Sequence, residues 1–171
     1  MRLKPLSALT FLAACSTGSS DGSPIQPSLP AVAGVQSTLS VSMPEVDRTE
    51  FGLVLNDARG ELTPVISHRT LNNVAQDYSG AIVASGLHID NGDNLHVDVD
   101  GRRVGDRVLE AGYDYSWVGE NIAEGYQTSA GVVRAWMNST THREVILAPQ
   151  AEDFGIGRTD DTWVLILGTE R

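Results

Sequence analysis

Near the C-terminus, Thr162-Trp-Val-Leu-Ile-Leu167 places five apolar residues in a row with no polar alternation. A strand with one face in water alternates apolar and polar side chains, so an unbroken apolar run predicts a central strand covered on both faces. Phe154-Gly-Ile-Gly-Arg158 precedes it, separated by Thr159-Asp-Asp161, and the two segments read as a hairpin. A third strand is expected over Ser116–Ile122. Whatever else the chain forms must supply apolar surface to both sides of this sheet.

Helical periodicity supplies it. Phe51, Val54, Leu55 and Ala58 follow helical spacing after Asp47, with Glu50 three residues on as a capping partner. Leu71, Val74, Ala75, Tyr78 and Ile82 predict a second helix that Gly86 ends. A short third helix is expected over Val104–Ala111, closed by Gly112. A fourth, over Ser129–Asn138, carries Val132, Val133, Trp136 and Met137 on one side. The polar stretch 87–101 reads as a loop, with Asp98-Val-Asp-Gly101 a turn rather than a calcium loop, since the ligand order of an EF-hand is absent. Trp117, Trp136 and Trp163 are expected in the core rather than on a binding platform. Helices with a small antiparallel sheet predict an α/β sandwich of the α+β kind.

The N-terminus reads differently. Arg2 and Lys4 form a basic start, Leu6–Leu12 an apolar middle too short to span a bilayer, and Leu12-Ala-Ala-Cys15 a small-residue cleavage site. The tetrapeptide resembles the lipobox of bacterial lipoproteins. That resemblance implies a signal peptide over 1–14, lipidation of Cys15 and an extracytoplasmic, lipid-anchored location. With Ser16 after the cysteine, an outer membrane is favoured where there is one. Residues 15–46, rich in Ser, Thr, Gly and Pro, read as a flexible tether, and 47–171 as the folded domain.

Composition excludes several chemistries. The full chain carries 12 basic and 22 acidic residues, a formal charge of −10; loss of Arg2 and Lys4 takes it to −12. Such a surface disfavours nucleic acid and anionic lipid. Lys4 is the only lysine and Cys15 the only cysteine, so a cleaved chain has no Schiff-base lysine and no disulfide exchange. Gly-x-Ser-x-Gly and His-Glu-x-x-His motifs are absent.

His96, Glu120 and His142 remain as candidate chemistry. Two imidazoles and a carboxylate form the ligand set of a catalytic-type zinc site, but their separations along the chain are far from metal-helix spacing. On composition alone, surface or hydrogen-bonded histidines are the plainer reading.

These residues sit within a longer pattern. Leu53-Val-Leu-Asn-Asp-Ala-Arg59, Leu71-Asn-Asn-Val-Ala-Gln-Asp-Tyr-Ser79, Asp106-Arg-Val-Leu-Glu-Ala-Gly-Tyr113, Val118-Gly-Glu-Asn-Ile-Ala123, Val132-Val-Arg-Ala-Trp-Met-Asn-Ser139 and His142-Arg143 occur in that order. Together they resemble the CAP superfamily of cysteine-rich secretory, antigen 5 and pathogenesis-related proteins, also called the SCP domain, in its disulfide-free bacterial branch. The resemblance implies a three-layer α-β-α sandwich with a small, mainly antiparallel sheet. It also implies a cleft lined by His96, Glu120 and His142, which in some members holds a divalent cation such as zinc, magnesium or calcium. His88 is a rival for the first histidine. The second acidic position is Ser139, a poor metal ligand, with Glu124 and Glu152 as carboxylates left to replace it. Thr140-Thr141 stands where relatives have Pro-Gly.

Three functions follow as expectations. The first is a noncatalytic module binding a small molecule, a lipid or an envelope component. The second is a hydrolase in which a cation on His96 and His142 activates water and Glu120 acts as base. The third is a structural or interaction protein without a working cleft. Replacing Cys15 with Ser is expected to move the protein from the membrane to the soluble fraction without altering its melting temperature, as fractionation and thermal unfolding would show.

Overall fold

A computed structural model of the chain describes residues 45–171. The signal peptide, Cys15 and all but the last two residues of the tether lie outside that range. Within it the order is α1 (Arg48–Arg59), β1 (Ile66–Ser67), α2 (Arg69–Ser85), a 3-10 turn (Ile89–Asn91), α3 (Val104–Glu110), β2 (Tyr115–Ala123), α4 (Ser129–Asn138), α5 (Thr140–Ile146), β3 (Asp153–Thr159) and β4 (Thr162–Glu170).

The sheet order is β1-β3-β4-β2. β4 pairs antiparallel with both β2 and β3, and Thr162 through Gly168 are all buried. Its side chains divide by strand alternation. Trp163, Leu165 and Leu167 join Phe51 and Leu55 of α1, Val132 and Trp136 of α4, and Ile146 of α5. Val164 and Ile166 join Leu71, Ala75 and Ile82 of α2 and Val108 of α3. The fold is therefore the α+β, three-layer α-β-α sandwich that the resemblance implies.

β3 shows how closely the layers meet. Phe154 and Ile156 face the α1/α4/α5 layer, leaving Gly155 and Gly157 toward α2. A Cβ on Gly155 would lie 2.1 Å from the backbone of Leu71, and one on Gly157 would lie 2.2 Å from the backbone nitrogen of Gln76. Helix backbone thus rests on strand backbone. β1 covers only the start of β3, in parallel pairing at Asp153 and Phe154. Beyond it, α2 side chains take over the strand edge. Asn72 Oδ1 accepts from the Ile156 N–H at 3.0 Å, and Gln76 accepts from the Arg158 N–H at 3.1 Å and donates to the Arg158 carbonyl at 2.9 Å. Backbone groups that would otherwise be orphaned are satisfied by amides at the right pitch of the helix.

Several expectations are modified. Asp47 caps α1, its carboxylate accepting from the Thr49 and Glu50 N–H groups at 2.9 and 3.0 Å. Glu50 does not close a capping box; it accepts from the Ser129 hydroxyl at 2.5 Å and ties α1 to α4. Gly86 ends α2 in the left-handed region, φ 71°. β1 and α5 were not expected: β1 is two residues long, and α5 follows α4 after the single extended residue Ser139. Trp136 and Trp163 are core, but Trp117 is only partly buried.

Gly157→Ala forces the α2 backbone away from β3, an overpacking that costs about 3 kcal/mol. It is expected to lower the melting temperature by about 10 °C, whereas Ala at the exposed, open Gly60 should act only through its positive φ and cost about 1 kcal/mol.

Candidate functional site

Tyr78 of α2 organises the first part of the site. Its hydroxyl donates to the Leu95 carbonyl at 2.6 Å, fastening the loop that carries His96 to the helix. Its ring lies 3.5 Å beneath the guanidinium of Arg107, from α3. Burial, the first influence on the phenol, raises its pKa, so it remains a hydroxyl donor.

Arg107 reaches across to β2, where its Nη2 donates to Glu120 Oε2 at 2.5 Å. Its Nη1 donates to the Arg102 carbonyl at 3.0 Å, while its Nε is buried with no partner among the described residues. The Glu120 side chain is 2% exposed, so this is an ion pair removed from water. The other carboxylate oxygen, Oε1, lies 2.9 Å from His96 Nδ1. A carboxylate can only accept, so His96 donates from Nδ1 and its Nε2 is the atom left for other partners. His96 itself is half-exposed, with 45% of its side chain open to solvent.

Asn121 follows Glu120 on β2 and points to the opposite face. Its side-chain amide donates to the His142 carbonyl at 2.9 Å, and its Oδ1 is buried with no described partner. His142 lies in the first turn of α5, where Thr140 takes the first helical position, one that needs no backbone donor and suits Thr as well as Pro. Burial first, and then the nearby His96, lower the pKa of His142. The two histidines thus come from opposite layers, and neighbouring residues of one strand hold the segments that carry them.

The remaining candidates lie elsewhere. His88 caps the 3-10 turn, its Nδ1 accepting from the Asp90 N–H at 3.1 Å, and sits 3.4 Å from Glu124. Glu124 also accepts from the Ile89 N–H at 2.9 Å and the Thr162 hydroxyl at 3.4 Å, so it belongs to that loop. Glu152 is exposed at the start of β3. The Ser139 hydroxyl is 3.3 Å from that of Thr141. Asp98 closes its turn by accepting from the Asp100 and Arg102 N–H groups at 3.0 and 2.8 Å, with the Arg102 guanidinium 3.0 Å away. Among the described residues, no three His, Cys, Asp or Glu side chains form a metal-holding group.

Sequence reading missed Arg107 as a site residue. Its signal was present in Asp106-Arg107, but an arginine on a short amphipathic helix looks like a solvated charge until its partner on β2 is known.

A profile of the cysteine-rich secretory protein family matches residues 56–165. The Bacillus subtilis protein YkwD is 46% identical over 52 residues, which are 30% of this chain and 20% of that one. Three solved structures share the fold. An extracellular protein with an SCP domain from Bacillus anthracis has a TM-score of 0.62 at 22% identity, over 71% of this chain and 40% of that one. An outer surface protein from Borrelia burgdorferi has 0.60 at 20%, over 75% and 98%. A cysteine-rich secretory protein from Staphylococcus aureus has 0.56 at 17%, over 74% and 40%. The chain therefore spans well under half of the Bacillus and Staphylococcus proteins.

The lowered pKa of His142 has a consequence for stability. An unfolded histidine takes up its proton near pH 6.5, before the folded one does, so this contribution is complete above that pH and is lost as pH falls toward the lowered value. The His142 ring is expected to titrate below 6.5 by NMR, and His142→Gln should flatten the loss of stability between about pH 7 and pH 5.

Proposed function

This chain belongs to the cysteine-rich secretory protein family, and on that premise we propose that it is an exported, noncatalytic module whose cleft, lined by His96, Glu120 and His142, binds a small molecule, lipid or envelope component. The observation that carries this reading is the joint commitment of Glu120 to Arg107 and His96. With Oε2 on Arg107 and Oε1 on His96, Glu120 contributes to the cleft chiefly by orienting the His96 ring.

The same geometry bears on the cation that the family resemblance implies. Two imidazoles, an engaged carboxylate and Ser139 in place of the second acid do not fit a divalent-cation site with Glu120 as a direct ligand. The hydrolytic reading needs Glu120 to take a proton from water, whereas both of its oxygens already accept from protein groups. What remains is a partly open pair of histidines, one fixed in tautomer by a carboxylate and the other held neutral by burial. Such a pair offers an acceptor and a donor to a polar group on a bound molecule.

Location supports export. The relatives of similar fold are described as extracellular, outer-surface or secretory proteins, and Leu12-Ala-Ala-Cys15 supplies an address and an anchor in this chain. Lipid on Cys15 would hold the domain at the envelope, its outer face favoured where there are two membranes.

Calorimetric titration of the protein with zinc, magnesium, calcium and solubilised envelope lipids tests the reading. At least one lipid or envelope fraction should bind and be weakened tenfold or more by combined His96→Ala, Glu120→Ala and His142→Ala substitution. Lipid binding that survives all three changes would sink the proposal, as would turnover of a peptide or ester that depends on His142 and is abolished by chelator.

A further inference from the structure

The three tryptophans are not equivalent. Trp136 donates its indole N–H to the Ile122 carbonyl at 3.4 Å, and Trp163 donates to the Tyr126 carbonyl at 2.8 Å; both are 1% exposed. Trp117 is partly exposed and packs against the edge of the α1/α4/α5 core cluster. It stands on β2 beside an open depression of about 500 Å³, a volume within the range of small-molecule sites. Gly119, the first residue of Gly119-Glu-Asn121, seats it. A Cβ there would lie 3.1 Å from the far edge of the indole and 2.9 Å from Val145 Cγ1. The ring therefore lies back over Gly119, and with Val145 and Leu147 it forms the apolar part of the lining of the depression.

Around this apolar floor stand the Thr141 hydroxyl, the exposed Gln150 amide and the adjacent charges Arg143 and Glu144, which offset one another. Thr141 shares only a long 3.3 Å bond with Ser139, and Arg143 uses Nη1 on the Met137 carbonyl at 2.8 Å. The exposed part of an indole beside an open amide and a hydroxyl and guanidinium with spare hydrogen-bonding capacity, with no net local charge, matches one common chemistry. A pyranose ring has a face of C–H bonds and an equatorial rim of hydroxyls. The face packs on indole, and the rim meets amide, hydroxyl and guanidinium. An anionic ligand would meet the repulsion of a chain with formal charge −10.

We propose that Trp117 and the depression bounded by α5 and the 147–150 segment form a carbohydrate subsite for a neutral pyranose. The subsite shares no residue with the His96–Glu120–His142 group and does not depend on the role assigned to that group.

Trp117 is its own reporter, since the other two indoles are buried and hydrogen-bonded. The whole protein is titrated with N-acetylated chitotriose and with cellotriose, following tryptophan emission and calorimetry in parallel. At least one sugar should bind saturably at one site with a blue shift in emission. Trp117→Ala should weaken binding tenfold or more and abolish the shift, and Trp117→Phe should weaken it less. Gln150→Ala, at an exposed position whose side chain the fold does not use, should weaken it several-fold and guards against misfolding at Trp117. The proposal is overturned if neither sugar binds saturably, or if Gln150→Ala and Trp117→Phe both bind as tightly as the unaltered protein.

Discussion

The contact on which the rest of this structure depends is backbone against backbone, where α2 lies on Gly155 and Gly157 of β3. No side chain separates them, so the helix is fixed in height and its amides meet the strand edge at Asn72 and Gln76. Its position then sets Tyr78, which holds the Leu95 carbonyl and carries the Arg107 guanidinium on its ring. Arg107 in turn holds Glu120, and Glu120 orients His96. Tyr78, Leu95, Arg107, Glu120 and His96 are thus linked, contact by contact, to one close packing on the far side of the sheet from α5.

A buried ion pair at the centre of such a chain is not in itself a large source of stability. Desolvation of Arg107 and Glu120 offsets much of their attraction, yet removing either partner leaves the other as an unpaired buried charge, at a cost of about 3 to 5 kcal/mol. Keeping both commits the carboxylate to the protein. It also fixes the His96 ring through Glu120 Oε1, with Nδ1 as the donor.

Much of the fold was legible in the sequence because its signals are local. The apolar run of β4 required cover on both faces, the Asp160-Asp161 turn tolerated the left-handed conformation seen at Asp160, and the 3.6-residue pattern located α2 and α4. β1 carried no pattern, being two residues that are strand only because β3 is beside them. α5 was obscured by Thr140-Thr141, which reads as loop but can begin a helix after the extended Ser139. Trp117 misled for a related reason. Its residue type suggests core, and it does pack against the core cluster, but at an edge where part of it stays exposed.

The sequence by itself determined most of the elements that form, that the sheet is covered on both faces, and that His96, Glu120 and His142 were the side chains to weigh for chemistry. Those properties follow from composition and spacing along one chain, where each residue's neighbours are known in advance. Only the tertiary structure decided that Glu120 faces Arg107 and His96, that Asn121 reaches the backbone of His142, that His88 turns to Glu124, and that Trp117 is only partly buried. Each of these depends on which layer a segment joins and which face of β2 it meets, and no local pattern encodes the meeting of residues that packing alone brings together.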